Sequence, residues 1–402
     1  MRYRYNIAVF GILLLLIISF SVVWIRFNQE QWGDVDCASE ILAMNASRFK
    51  RLDIVKQLED DSHTQRTKRN ISAYKLFCIY SINRDKFEKL KSQTEYNEDI
   101  LNFELLRLEI MNSKTSDSFL SILRKIKNLT NRALQFELYV EMAKKFVDFN
   151  EFDDAYRCLS FIKFDSDDWS TNIDSRVLLD EVLLYLKMKD KNSFIKRFKA
   201  ISYSRRKVIF AISLCQNPLA VEYFKDMIGG RDLSYKKTID PMLVSDERIA
   251  QFAVDFYNAI NSNRKEHLIK SYGYLSSYTL KLNLYVKRFN RNSFPIISYV
   301  ASFIPDGNLS KKYVELSISN EQLYEIRNGI IEYALVVSIL SDKMGNADKS
   351  IYVISKIYPL WKRAQVLRMS MRELSNDGKY LDQCLKAINE IRHTNRIFDL
   401  GI

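Results

Sequence analysis

The chain has 402 residues, with 61 Lys or Arg against 49 Asp or Glu, so its formal net charge at pH 7 is +12. Its hydrophobic share of 47% excludes a largely disordered chain. Only ten Gly and five Pro are present, which leaves few residues that break helices or form tight hairpin turns and therefore favours an all-α fold.

The first feature along the chain is an unbroken apolar run of 19 residues, from Ile7 to Ile25. As a helix it would reach about 28 Å, which matches the roughly 30 Å hydrocarbon core of a bilayer. We therefore predict a transmembrane signal-anchor helix within residues 1–26. Its expected membrane contacts include Ile7, Leu13, Leu16, Ile18 and Trp24.

A signal peptide that is removed after export is the alternative to a retained anchor. Cleavage needs a small-x-small site, and the run offers one at Ser19-Phe20-Ser21. A cut there would leave residues 22–24, Val-Val-Trp, as an apolar new terminus. Retention of the anchor is therefore favoured.

The charges that flank the run predict its orientation. Arg2 and Arg4 precede it, whereas Arg26 is the single basic residue among four acids in the next 20 positions. Because cytoplasmic flanks carry the excess of Lys and Arg, we expect the N-terminus in the cytoplasm. Residues 27–402 are then extracytoplasmic, on the periplasmic or cell-surface side, and removal of a signal peptide would export the same residues.

Beyond a short polar tether at 27–37, apolar residues recur at helical spacing. Polar breaks separate helix-length stretches at 83–85, 112–118, 150–151, 189–192, 261–263, 345–346 and 376–379. Regular helix-length segments with short breaks are typical of stacked antiparallel helix pairs.

One of these predicted hairpins has apolar and turn residues at positions 4, 7, 8, 11, 15, 20, 24 and 27 of a 34-residue unit. They are Tyr139, Met142, Ala143, Phe146, Asn150, Ala155, Leu159 and Ile162. Two further hairpins have Gly345 and Gly378 at the turn position, 33 residues apart. This pattern resembles the tetratricopeptide repeat over three hairpins. The resemblance implies an irregular right-handed superhelix of stacked hairpins, in which Tyr139, Ala143, Phe146, Ala155, Leu159, Gly345 and Gly378 contribute to repeat packing.

The clearest internal boundary is the linker 231–245, which follows Gly229-Gly230 and contains Asp240-Pro241. It divides an N-terminal helical array, 38–230, from a C-terminal one, 246–402. Tyr278 to Val286 alternates apolar and polar residues as a strand does, yet it also has a helical stripe. We predict helix there, with a local β-hairpin to residues 295–303 as the alternative.

Motifs for catalysis or cofactor binding are missing from the sequence. The three His residues are isolated, and no His-Glu-x-x-His, Cys-x-x-Cys, phosphate loop or Gly-x-Ser-x-Gly motif occurs. Asp165, Asp167 and Asp168 crowd one segment, which is interpreted as a solvated turn. No metal site, cofactor or catalytic residue is therefore predicted.

Five Cys residues are widely spaced. Their odd number allows at most two intramolecular disulfides. Cys158 and Cys384 lie at apolar helix positions and are expected in the core. A disulfide between Cys37 and Cys78 stays open for an exported chain.

Two clusters of basic and aromatic residues are candidate partner-binding sites. The first is Arg205, Arg206 and Lys207, and the second is Tyr274, Tyr278, Lys281, Tyr285 and Arg288. In a helix the second cluster shares one face and could bind a peptide or glycan. Aromatic packing between hairpins with a solvated basic rim is the alternative.

These features favour a single-pass membrane scaffold or adaptor that binds a protein partner in an exported envelope complex. An anionic envelope polymer is a further candidate partner, and nucleic acid is not expected at that location. The alternative function is an envelope glycan-processing or cell-wall enzyme on a helical scaffold.

Overall fold

A computed structural model describes residues 32–113, 119–162, 172–201, 217–229, 246–261, 360–376 and 378–399, together with 207, 210, 211, 214, 351, 354, 355 and 357. Every regular element among these residues is an α-helix, which confirms the all-α class for this part of the chain. None of these helices is both long enough and apolar enough to cross a bilayer. The predicted anchor, linker 231–245 and segment 278–303 lie outside the described residues.

The described helices belong to two compact units, Met1–Tyr96 with Gly329–Ile402, and Asn97–Asn328. Unit 1 contains α1 (32–48), α2 (Leu52–Asp60), α3 (Gln65–Ile82), α4 (Arg84–Lys91), α13 (Leu360–Ser375) and α14 (Leu381–Asp399). Unit 2 contains α5 (Glu98–Asn112), α6 (Phe119–Lys127), α7 (Arg132–Asp148), α8 (Phe152–Ser160), α9 (Asn172–Lys187), α10 (Lys191–Ala200), α11 (Pro218–Ile228) and α12 (Asp246–Asn261).

Polar side chains at the breaks explain where many helices begin. Each accepts a hydrogen bond from a backbone N–H in the first turn of the helix that follows, which satisfies a donor that has no partner inside the helix. These N-caps are Thr64, Asn83, Asn97, Asn131, Asp190 and Asn217. The predicted breaks at 83–85, 150–151 and 189–192 accordingly fall at helix ends.

Three hairpins have the same type of turn between their helices, which we call the joint. Lys50, Asn150 and Lys189 have φ of 59°, 62° and 58°, in the left-handed region. In each case the next backbone N–H donates across the joint to a carbonyl five residues earlier, at 2.9 Å. This is the Schellman arrangement, which ends one helix and reverses the chain. The second helices, α2, α8 and α10, begin two residues after these positions.

In unit 2 the hairpins follow one another. Helix α7 packs against its partner α8 and also against α5 and α9, the first helices of the neighbouring hairpins. Helix α10 contacts α11, which packs on α12. A continuous hydrophobic core runs through these helices from Phe103 to Val254. The predicted packing residues Tyr139, Ala143, Phe146, Ala155 and Leu159 are all buried in it.

In unit 1 the C-terminal hairpin α13–α14 packs against the N-terminal helices. The Asn45 amide donates to the Ser375 hydroxyl at 2.7 Å. The Arg51 guanidinium donates two hydrogen bonds to Asp382, at 2.7 and 3.1 Å, and so lowers the pKa of that carboxyl. Hairpins α1–α2 and α13–α14 are thus joined by polar contacts between residues far apart in sequence.

Residues 32–37, assigned to a polar tether from the sequence, instead form the first turns of α1. Their acids are not solvated: Asp34 and Asp36 are buried. Asp34 is stabilised there by Arg368, whose Nη1 lies 2.8 Å from its Oδ1. Asp34 can therefore lie in a buried helix because a distant Arg neutralises it.

Gly378 lies in the turn between α13 and α14 with φ of 76°. A Cβ atom at this position would lie 2.9 Å from the ring of Phe49, so the turn needs Gly for its backbone and for its contact. Gly345, the other predicted turn glycine, is outside the described residues.

We expect Gly378→Ala to lower the free energy of unfolding by about 2–4 kcal/mol, from backbone strain plus overpacking. In the Phe49→Ala background only the backbone strain remains, so the same change should cost about 1–2 kcal/mol. Urea unfolding of the full chain in detergent, followed by circular dichroism, measures both. An equal cost in the two backgrounds would contradict the contact between Phe49 and this turn.

Candidate functional site

Most of the predicted partner-binding residues lie outside the described part of the chain. They are Arg205, Arg206, Tyr274, Tyr278, Lys281, Tyr285 and Arg288. Whether these residues lie together is therefore not tested by the structure, and their role stays a prediction.

Lys207, the remaining member of these clusters, is inside unit 2. It is 6% exposed, and its ammonium donates to Asp246 at 2.6 Å and to the Lys199 carbonyl at 3.1 Å. The ammonium also lies 5.8 Å from the centre of the Phe198 ring. Because Asp246 begins α12, Lys207 fastens that helix to α10 and its charge is compensated within the protein.

A candidate binding surface lies instead on the first helices of two consecutive hairpins. We call it the α7–α9 face, and it comprises Glu141, Lys144, Asp148, Asp180, Leu183 and Lys187. On each helix these residues recur at i, i+3 and i+7, which places them on one side. Leu183, the middle residue of the three on α9, is 41% exposed.

Ion pairs cross this face between the two helices. Lys144 Nζ lies 3.5 Å from an Asp180 oxygen and 3.3 Å from a Glu141 oxygen. Lys187 Nζ lies 4.0 Å from Asp148. The Lys187–Asp148 pair is exposed, whereas the side chains of Glu141, Lys144 and Asp180 are half-buried. Exposed pairs contribute only about 0–1 kcal/mol each, since water and salt screen them. The charges of Lys187 and Asp148 can therefore be exchanged for those of a partner at little cost.

Beneath the α7–α9 face, Glu181 is buried with 0% exposure. It lies eight residues before Lys189, the residue of positive φ in its hairpin. Met142 is likewise buried eight residues before Asn150 in the neighbouring hairpin, so the two positions correspond. Burial raises the pKa of Glu181 to about 7, and the Arg197 guanidinium, with Nε 3.2 Å from its Oε2, opposes that rise. This acid thus occupies a core position where a neighbouring hairpin has an apolar residue.

A second set of acids lies on α1: Asp34 and Asp36 are buried, and Glu40 is half-buried. We call this set the polar seam. Asp36 is 3% exposed and lies 3.7 Å from His63 Nδ1, and the His63 ring lies against Trp32 with centroids 3.6 Å apart. Sequence reasoning missed the seam because it assigned Asp34 and Asp36 to a polar tether.

Glu40 is held within unit 1 by the side chains of Asn70 and Thr67 on α3. Burial raises the pKa of Glu40, whereas hydrogen bonds from these two side chains oppose the rise. The same buried environment raises the pKa of the Cys37 thiol, with Glu40 adding to the effect. The polar seam is therefore only partly hydrogen-bonded: Glu40 has partners on α3, whereas both carboxylate oxygens of Asp36 are buried with no hydrogen-bond partner among the described residues.

The cysteines in the described ranges are free. They are Cys37, Cys78, Cys158 and Cys384, so a Cys37–Cys78 disulfide is not formed. Burial raises the pKa of Cys78 to about 11 and that of Cys158 to about 12. Thiols with such pKa values stay protonated at neutral pH and are poor nucleophiles. Among the described residues, no three His, Cys, Asp or Glu side chains are placed to hold a metal ion.

No protein-family model, curated protein or solved structure matches this chain. Its function therefore has to be inferred from the arrangement of its own residues.

The raised pKa of Glu181 predicts a pH dependence of stability. Between about pH 7 and the ordinary value of 4.5, the folded chain holds a proton that the unfolded chain has released, so stability rises as pH falls through this window. We expect Glu181→Gln to be more stable than wild type at pH 8 by about 1–3 kcal/mol and to lack this dependence.

Urea unfolding at pH 8 and pH 5.5 measures the difference. The matched control is Asp180→Asn, the half-buried neighbouring acid, which should leave the difference between the two pH values as in wild type. Parallel pH profiles for wild type and Glu181→Gln would rule out a buried, titrating Glu181.

Proposed function

We propose that this chain is a membrane-anchored helical-repeat scaffold that binds a protein partner in an exported envelope complex. The observation that carries the proposal is the succession of packed hairpins in unit 2, where the first helices α5, α7 and α9 pack side by side. Such stacking builds an extended surface from short, similar modules, and repeat proteins use surfaces of this kind for binding.

The proposed repeat resembles the tetratricopeptide unit, and α9–α10 supports it. Relative to its joint, this hairpin has buried residues at the same spacing as α7–α8. They are Leu178, Glu181, Val182, Tyr185, Phe194, Phe198 and Ile201. We propose that these hairpins continue as an irregular right-handed superhelix.

The proposed location follows from the apolar run at 7–25 and its flanking charges. Six residues, 26–31, separate that run from the first described residue of α1. Even fully extended, six residues span about 20 Å. An anchor there would keep the scaffold close to the membrane and raise its effective concentration for partners in the same envelope.

The α7–α9 face is the proposed contact surface for the partner. Its central Leu183 offers apolar area, and the surrounding acids and bases offer charges that are weakly held within the protein. Phe152, 37% exposed on the second helix α8, provides a matched apolar residue outside this face.

We expect a stoichiometric partner to co-purify with the tagged full chain from detergent extract. Leu183→Asp should reduce the recovered partner at least about ten-fold, which corresponds to 1.4 kcal/mol or more of lost binding free energy. Quantitative mass spectrometry of the eluate measures it.

Phe152→Asp is the control and should retain the partner, while circular dichroism should show the same helix content for both variants. Equal loss with both variants would argue against the α7–α9 face. Recovery of no partner, together with turnover of a wall polymer by the purified chain, would contradict the scaffold itself.

A further inference from the structure

Asp36, in the second turn of α1, is a buried acid without a hydrogen-bond donor. It is 3% exposed, and neither of its carboxylate oxygens has a hydrogen-bond partner among the residues that the structure describes. A charged carboxylate in such a position loses its hydration and gains no donor in exchange, which destabilises the fold. Since buried polar groups are almost always hydrogen-bonded, this one needs a donor that is supplied under some condition.

The other acids of the polar seam already have partners. Asp34 Oδ1 lies 2.8 Å from the Arg368 guanidinium of α13. Glu40 accepts hydrogen bonds from two side chains of α3, and the charge of Arg66 also favours its ionised form. None of these partners donates to Asp36, so its charge has to be balanced from another direction.

The charged and titratable groups on the remaining sides of the seam do not supply this donor. Next to His63 in the turn between α2 and α3, Asp60 is exposed and Asp61 lies 3.8 Å from the Arg392 guanidinium of α14. Burial raises the pKa of the Cys37 thiol on α1, which keeps that group neutral. This leaves the imidazole of His63.

His63 is placed to supply the missing charge. Its Nδ1 lies 3.7 Å from Asp36 Oδ1, which is within ion-pair distance but too long for a hydrogen bond. The Trp32 ring lies against the imidazole, with centroids 3.6 Å apart and planes inclined by 34°. A second proton turns the imidazole into a cation, which attracts both the carboxylate and the face of the indole. Both contacts therefore become stronger when the ring is charged.

We propose that His63 is a proton-controlled clasp, which fastens the first turns of α1 to the turn between α2 and α3. When the ring is charged it pairs with Asp36 and lies on Trp32. When the ring is neutral, Asp36 is left charged and buried without a donor. Histidine changes its charge between about pH 5 and pH 8. The stabilisation is therefore present at low pH and is lost as pH rises through this range, so the start of α1 opens more readily at high pH.

The clasp is close in sequence to the predicted anchor, because only residues 26–31 separate Trp32 from the apolar run. At the extracytoplasmic location proposed above, external acidity would control how firmly unit 1 holds the end of the chain that leads to the anchor. The clasp does not depend on the partner proposed for unit 2, and its test does not require that partner.

Hydrogen exchange of the full chain in detergent, followed by mass spectrometry, tests the clasp. The measured quantity is the protection factor of the backbone amides of 36–40, which is the intrinsic exchange rate at each pH divided by the observed rate. We expect it to fall at least about five-fold in wild type between pH 6 and pH 8. His63→Phe keeps a ring against Trp32 but cannot be charged, so its protection factor should change less than about two-fold.

His393→Phe is the matched control, since His393 is an exposed histidine on α14 of the same unit. It should keep the wild-type change. Asp36→Asn removes the other half of the pair and should abolish the change as His63→Phe does, while circular dichroism should show wild-type helix content for all three variants.

Retention of the wild-type change in either His63→Phe or Asp36→Asn would assign it to another group of the seam, such as Glu40, and would overturn the clasp. A protection factor that is the same at both pH values in wild type would also overturn it. So would loss of the change in His393→Phe, because the effect would then not be specific to His63.

Discussion

Ser39 and Asn45 of α1 impose the main constraint on unit 1, because their buried polar groups need partners inside the protein. Asn45 donates to Ser375, and the Arg392 guanidinium donates to the Ser39 hydroxyl at 3.1 Å. These contacts span 330 and 353 positions of the chain. Burying such groups without hydrogen bonds costs about 1–3 kcal/mol each. Helix α1 is therefore stable in this position only when the C-terminal hairpin is folded against it, which makes unit 1 dependent on long-range contacts.

The local parts of this fold could be predicted from the sequence, whereas the long-range pairing could not. Asn83 and Asn150 mark helix ends because short polar side chains cap helices or adopt positive φ. Lys50 and Lys189 occupy the same joint without any such signal, so the likeness among the three hairpins becomes visible only in the structure. Nothing in residues 32–37 shows that Arg368 will neutralise Asp34, and the acids were therefore assigned to a tether.

The candidate site was harder to predict for the same reason. The basic cluster at 205–207 led to the prediction that Lys207 binds a partner. In the structure Lys207 is buried and pairs with Asp246, which lies 39 positions away in sequence. The acids and bases of the α7–α9 face do recur at helical spacing, yet only the packing of α7 on α9 makes them one surface.

The joining of the N-terminal and C-terminal parts of unit 1 is tested most directly by a double-mutant cycle on Asn45 and Ser375. The Asn45 amide donates to the Ser375 hydroxyl at 2.7 Å, so Asn45→Ala and Ser375→Ala should each lower the free energy of unfolding by about 1–3 kcal/mol. The double variant should cost less than the sum of the two by about 0.5 kcal/mol or more, as urea unfolding of the full chain measures. Costs that simply add would contradict the described contact between α1 and α13.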